Sequence, residues 1–319
     1  MRKFIIKTMI VVVSWLLPLY ILQFLYDKTA QQVYDRWPYD KINMAFDKPQ
    51  NADLVIMGNS RGTGNYIPQI LDSILEMKCC NLSLSGYPFN FNYNMVFQPY
   101  IKRNSLPRFI IQDVGPFAFY QDFNPIYRIE FLPYINRPEF DFYLKRCSEL
   151  SEFYKFLPLK YHGQLSLCID NFRSFILEEG DKPEWNYYRV GSNYSGKDIR
   201  PLEKDSDILK LFAQYLEDCK ALNIKVVLIC SPIHMKDGYS HFDMKGFKEM
   251  MTDIARKEEM PFLDYSDYYG ADTLFFIDAM HLKKPAQKQF SRQVAADLKA
   301  MGWSLDSNMK NSTSLLSDH

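Results

Sequence analysis

Ser60, Asp278 and His281 are the residues of this 319-residue chain whose types and spacing could do covalent chemistry. A serine hydroxyl is a weak nucleophile until a base takes its proton and an acid orients that base. Ser60 closes the apolar run ADLVIMGNS, and Asp278 stands three residues before His281 in a loop ahead of the last helical segment. D-x-x-H spacing in a turn lets one short segment offer base and orienting acid to a serine far away in sequence. The backbone N–H groups of Ser60 and Gly86 can form an oxyanion hole, Gly86 because it has no side chain to block close approach. Each signal is common by chance; their order and place along the chain give them weight. No phosphate loop, dinucleotide fingerprint or zinc-ligand spacing occurs, so neither a cofactor nor a metal is expected.

These groups need a scaffold that brings them to one edge. Short apolar runs at 52–60, 79–86, 108–115, 223–234 and 261–266 read as buried strands. Helical patterns lie between them: one opening at Pro68, then 92–102, 206–222, 242–258 and 285–301. The alternation predicts an α/β fold, a three-layer α/β/α sandwich around a parallel sheet of flavodoxin-like type. Ligands of such sheets bind outside the carboxyl ends of the strands. Those ends are Gly58-Asn59-Ser60-Arg61-Gly62, Ser85-Gly86 and Asp113-Val114-Gly115. Asn59, Arg61, Gly86 and His234 are therefore the candidates for holding an oxyanion or substrate. Two of them have a second reading: Arg61 could instead pair with Asp113, and His234 could be a structural loop histidine.

The alternation fails over 116–205, a stretch crowded with Phe, Tyr and Trp that is too long for a structureless loop. It is expected to be a helical insert in the domain 52–302, its aromatics forming a sugar- or acyl-binding wall or packing the insert. Residues 303–319 read as a polar tail. Asn81, Asn193 and Asn311 sit in N-x-S/T sequons.

Arg2, Lys3 and Lys7 precede an uncharged apolar run from Thr8 to Tyr26, which spans about 28 Å as a helix, close to a bilayer core. Residues 1–30 read as a membrane anchor, with a cleaved signal peptide or a core helix as rivals, and 31–51 as a linker. The cationic start predicts a cytoplasmic N-terminus with the rest exported. Thirty-eight basic against 38 acidic side chains leave no charge surplus for nucleic acid, and a 47% apolar content excludes a disordered solvating chain. Six cysteines are too sparse for a disulfide framework at this length and read as buried thiols.

G-N-S after the first strand, S-G after the second and D-x-x-H-L before the last helix make the region from about Asp53 to Leu298, outside the insert, resemble the SGNH (GDSL-type) hydrolases. The resemblance is closest to their membrane-anchored G-N-S-R branch, similar to proteins of alginate O-acetylation and teichoic-acid D-alanylation. It implies Ser60 as nucleophile, Gly86 as oxyanion donor, and Asp278 with His281 as the remaining pair. It further implies an extracytoplasmic serine esterase or O-acyl (acetyl) transferase on an envelope or secreted glycan. A single-pass inner-membrane anchor and a multi-pass membrane acyltransferase as partner belong to the same implication. Two positions depart from the family pattern. Asn59 replaces the acidic residue of G-D-S, and the third block, Asp113-Val114-Gly115-Pro116-Phe117, lacks the oxyanion-donating asparagine. Losing one such donor costs about 10²–10³ in rate in a well-studied protease. The rival expectation is thus a catalytically impaired envelope protein of the same fold that binds glycan or a partner acyltransferase.

Overall fold

The structure, a computed structural model, describes residues 1–32, 39–46, 49–116, 118–119, 131–141, 161, 169, 206–236 and 243–303. The chain divides into two compact units, Met1–Lys48 with Asn124–Lys182, and Pro49–Phe123 with Pro183–His319.

In the first unit, α1 (Arg2–Ala30) carries its apolar side chains exposed and keeps Pro18 inside the helix. With a mean hydropathy of 2.1 over its most apolar window, it is long and apolar enough to cross a membrane. Only its last turns are packed: Tyr26 Oη lies 2.8 Å from Tyr39 Oη, and Asn43 Nδ2 donates to Ala30 O at 2.8 Å. The stretch expected as a linker contains a packed helix, α2 (Asp40–Phe46), which buries Ile42, Ala45 and Phe46. Phe46 stacks on Tyr134 at 5.9 Å and meets Phe140 at 5.5 Å, with the Arg137 guanidinium 5.0 Å from its ring centre. The aromatics of the expected insert described in this unit, Phe131, Tyr134, Phe140 and Tyr161, are buried. They pack; they do not line a wall. Residues 120–130, 142–160, 162–168 and 170–205 of that insert, His241, the tail from 304 with His319, and the sequons at Asn193 and Asn311 lie outside the described residues.

The second unit is an α/β fold on a five-stranded parallel sheet. In chain order it runs β1 (Leu54–Met57), α3 (Ser60–Asn65), α4 (Pro68–Leu75), β2 (Cys79–Asn81), α5 (Phe89–Asn92), a π-helical turn (Tyr93–Phe97), α6 (Gln98–Arg103) and β3 (Phe109–Asp113). There follow α7 (Ser206–Ala221), β4 (Lys225–Cys230), α8 (Met244–Lys257), β5 (Phe262–Asp264) and α9 (Lys284–Ala300). The strand order is β2-β1-β3-β4-β5, every pair parallel. Strand side chains alternate between faces. Leu54, Ile56, Phe109, Ile111, Val227 and Ile229 form one core with Leu71 and Leu75 of α4 and Phe290, Val294 and Leu298 of α9. Val55, Ile110, Val226 and Leu228, equally buried, belong to the opposite face. There the joints between helices are aromatic, with Phe89 4.8 Å from Phe212 and Phe97 5.2 Å from Tyr215.

Two elements depart from the periodicity. The strand expected over 79–86 is regular only to Asn81, because Asn81 Oδ1 takes the Ser83 N–H at 3.0 Å and bends the chain. Leu82 and Leu84 still donate to Ile56 O and Gly58 O, so the segment stays beside β1. The helix expected at 92–102 begins at Phe89 and widens to a π turn before α6. Pro99 has no N–H to donate one turn back, and the wider turn accommodates that gap.

Candidate active site

Register brings the site together. Met57 of β1 pairs with Gln112 of β3, which pairs with Leu228 of β4. The residues three beyond each, Ser60, Gly115 and Ser231, therefore emerge at one carboxyl edge. The chain steps from β1 outward to β2 and then back across to β3, so this edge is the switch point where such sheets bind ligands.

Ser60 opens α3, a helix that local propensity does not foretell, since Ser-Arg-Gly-Thr-Gly-Asn holds two glycines and no strong helix former but Arg61. It is held from outside. Asn59 is its N-cap, accepting the Arg61 N–H on Oδ1 at 3.0 Å. An aspartate would cap equally well, so the departure from G-D-S keeps the cap and drops its charge. Thr63 Oγ1 donates to Ser83 O at 3.0 Å, and Asn81 Nδ2 donates to Gly62 O at 2.8 Å. Asn81 is 5% exposed with its amide committed, so the sequon there cannot accept a glycan. The Ser60 hydroxyl, half-buried, has no hydrogen-bond partner among the described residues.

Asp278 and His281 meet inside one tight hairpin. An antiparallel bridge pairs Phe276 with Leu282, and Ile277 N–H donates to His281 O at 2.7 Å. Asp278 Oδ1 accepts the N–H groups of Met280 at 2.8 Å and His281 at 2.9 Å, while His281 Nδ1 lies 2.9 and 2.8 Å from the two carboxylate oxygens. Burial pushes the Asp278 carboxyl up, but these hydrogen bonds and the imidazole outweigh it and hold it below the usual carboxylate range. A carboxylate cannot donate, so Nδ1 carries a ring proton, and in the neutral imidazole the lone pair needed by a general base is then on Nε2. A Cβ on Gly64 would stand 3.8 Å from His281 Cδ2, the carbon beside Nε2. Gly64 is one helical turn after Ser60, so the Cδ2 corner of the ring lies beside α3, one turn from Ser60.

Gly86 is exposed and takes the left-handed φ of 79°, a conformation that favours glycine. Its loop is stapled by Asn92, which sequence reasoning missed. Asn92 Oδ1 accepts the Leu84 N–H at 3.0 Å and its Nδ2 donates to Tyr87 O at 3.3 Å.

The other two candidates move away from the cleft. His234 is 2% exposed, its Nε2 2.9 Å from Ala271 O, its ring edge-on to Phe276, and its N–H on Ala279 O at 2.9 Å. It buttresses the Asp278 hairpin from behind. Arg61 is 1% exposed and lies beneath the strand tips. Its guanidinium donates to Ser231 O and reaches Val114 O at 3.5 Å and Cys230 Sγ at 3.7 Å. A Cβ on Gly115 would collide with Arg61 Nη1, which is why the third block ends in glycine. Burial pushes the Asp113 carboxyl up against the pull of the Arg61 charge, and Tyr66 Oη donates to Asp113 Oδ2 at 2.8 Å. A substrate-facing Arg61 is thereby corrected to a buried counter-charge for Asp113, because its guanidinium is walled in by backbone carbonyls. Buried thiols hold for Cys80, Cys219 and Cys230, and burial lifts Cys230 to about 11.

Fold and site together define an α/β protein with a capped serine and an Asp-His pair at its switch point. No protein-family model and no curated protein matches the chain. Among solved structures it is similar to a G-D-S-L family lipolytic protein from Desulfitobacterium hafniense, with 13% identity, 76% of this chain and 97% of that one covered, and a TM-score of 0.39. A GDSL-like lipase from Bacteroides thetaiotaomicron is 11% identical over 76% of this chain and 87% of that one, at a TM-score of 0.37. A catalytic mutant of an acetylxylan esterase from Geobacillus stearothermophilus is 12% identical over 82% and 100%, at 0.36.

Gly115→Ala is expected to destabilise the protein by about 1–3 kcal/mol through overpacking against Arg61. Gly64→Ala, whose Cβ meets only ordinary contact, is expected to cost nothing or to stabilise, helix propensity favouring alanine by about 1 kcal/mol. Chemical unfolding of the two full-length variants measures the contrast.

Proposed function

We propose that the protein is a membrane-anchored, extracytoplasmic serine esterase or O-acyltransferase acting on an acylated envelope or secreted glycan. The observation that supports this best is the Asp278–His281 pair, its Nε2 edge laid along the helix that Ser60 opens. In the proposed reaction His281 Nε2 takes the Ser60 proton as Oγ attacks the ester carbonyl. The tetrahedral oxyanion receives the N–H groups of Ser60 and Gly86. Collapse breaks the ester C–O bond, and the leaving alkoxide takes the proton from Nε2, leaving Ser60 acylated. Water or a sugar hydroxyl then gives its proton to Nε2 and attacks the acyl carbon, and as the acyl–Oγ bond breaks Nε2 returns that proton to Ser60. Water makes the chain an esterase; a sugar hydroxyl makes it a transferase, the outcome that the G-N-S-R resemblance favours.

The cationic head and apolar α1 support a single-pass inner-membrane anchor with the α/β unit outside the cytoplasm. An acyl donor on that side of the membrane calls for a carrier, and a multi-pass membrane acyltransferase is the partner in this reading.

One observation favours a second reading, a non-catalytic glycan- or partner-binding protein. The third strand is followed by Val114, which is buried, and Gly115, which packs on Arg61, so no side-chain amide stands there to steady an oxyanion.

Ser60→Ala is expected to abolish hydrolysis of an activated acetyl ester with the fold intact, and Asp278→Asn to lower kcat by about 10⁴ by mis-setting the imidazole tautomer. Wild-type turnover no higher than that of either variant, at the level of uncatalysed hydrolysis, supports the binder. Alkaline carbonate washing of cell membranes is expected to leave the chain in the pellet, and its release would remove the anchor.

A further inference from the structure

The feature that joins the two halves of the site is neither of the halves. Asn65, the last residue of α3, is completely buried. Its Oδ1 accepts the Leu282 N–H at 3.1 Å. A backbone N–H can only donate, so the atom facing it must be the amide oxygen, and Nδ2 is thereby turned the other way. Nδ2 donates to Ser231 Oγ at 3.0 Å and lies 3.5 Å from Met280 O. The amide thus grips the main chain on both sides of His281, from the helix whose first residue is Ser60. Ser231 in turn accepts the buried Arg61 guanidinium on its carbonyl.

The Asp278–His281 pair does not need this contact to exist. Among the described residues the carboxylate draws all its donors from within the hairpin. What the hairpin cannot set by itself is where its imidazole stands relative to Ser60, some two hundred residues earlier. The tie from Asn65 to Leu282 and Met280 fixes that distance through one short helix, and Gly64 beside it leaves room for the ring edge.

We propose that Asn65 is a positioning residue, holding the His281 hairpin so that Nε2 faces the Ser60 hydroxyl. The proposal rests on the serine-enzyme reading and adds a residue that neither touches substrate nor belongs to the Ser60, Asp278, His281 set. Loss of the tie should loosen alignment and leave the pair itself intact. A misplacement of about 1 Å costs about 10²-fold in rate.

The test uses the full-length protein in detergent, hydrolysing p-nitrophenyl acetate, with Ser60→Ala as reference. Asn65→Leu is expected to lower kcat about 10²-fold with KM little changed. Asn65→Asp keeps an acceptor for Leu282 and is expected to recover part of that loss. The Nδ1 proton signal of His281, read by NMR, is expected to persist in both variants, because the Asp278 contact survives. A purely structural role would lower the folded fraction and leave kcat per folded molecule unchanged.

If Ser60→Ala hydrolyses the ester as well as wild type, the serine-enzyme reading falls and this proposal with it. If Ser60→Ala is inactive while Asn65→Leu keeps wild-type kcat, the enzyme stands and the positioning role is overturned. Loss of the Nδ1 signal in Asn65→Leu overturns it too, by showing that Asn65 builds the pair. So does failure of both Asn65 variants to fold, which assigns the residue to stability.

Discussion

A fully buried guanidinium is the constraint around which the carboxyl edge of the sheet is arranged. Taking a cation out of water is costly unless carbonyls and an opposite charge surround it. Arg61 meets much of that demand with Ser231 O, Val114 O and the nearby Asp113 carboxyl, itself bonded to Tyr66, while its Nε has no partner among the described residues. Cys230, lifted to about 11 by burial, offers Arg61 a neutral sulfur. The consequences spread through the local sequence. Gly115 must be glycine to clear the guanidinium, and Gly58 must be small because a Cβ there would come 2.9 Å from Asp113 Cβ. Since Arg61 directly follows Ser60, the same anchor that ties β3 to β4 also fixes the start of α3.

From that anchor the site is held in pieces that are each locally complete. The Asn59 cap and the Asn81 and Thr63 bonds secure α3, which its glycine-rich sequence could not sustain alone. The Asp278 hairpin satisfies its carboxylate internally and leans on His234 from behind. Asn92 closes the loop that carries Gly86. With Asn65, which ties α3 to the hairpin, four buried or half-buried asparagines thus do the joining. An amide is suited to it, since it donates and accepts at once without carrying charge into a low dielectric.

Much of this was legible in the sequence, and the omissions have physical causes. The strands at Leu54–Met57, Phe109–Asp113 and Lys225–Cys230 are continuous apolar runs, and the amphipathic α4, α7, α8 and α9 show their faces by spacing. Asp278 and His281 were legible because three-residue spacing in a turn constrains both side chains to one neighbourhood. Asn65 and α3 were not, because what stabilises them comes from residues as far as 217 positions away. Arg61 and His234 were legible at the right edge of the sheet, but the sequence left open whether each faces the cleft or the interior. Strand ends reveal where a residue emerges; depth depends on which long-range carbonyls are there to receive it. The glycine at 115 was the available hint, since an unfilled position beside an arginine marks where the guanidinium lies.

The central claim is that Ser60 is the side chain His281 activates. Treating the full-length protein with a fluorophosphonate and mapping the adduct by peptide mass spectrometry tests it most directly. A single phosphonylated peptide carrying the label on Ser60, and lost in His281→Ala, is the expected result. A label on another serine, or none where a control serine hydrolase is labelled, would contradict the account.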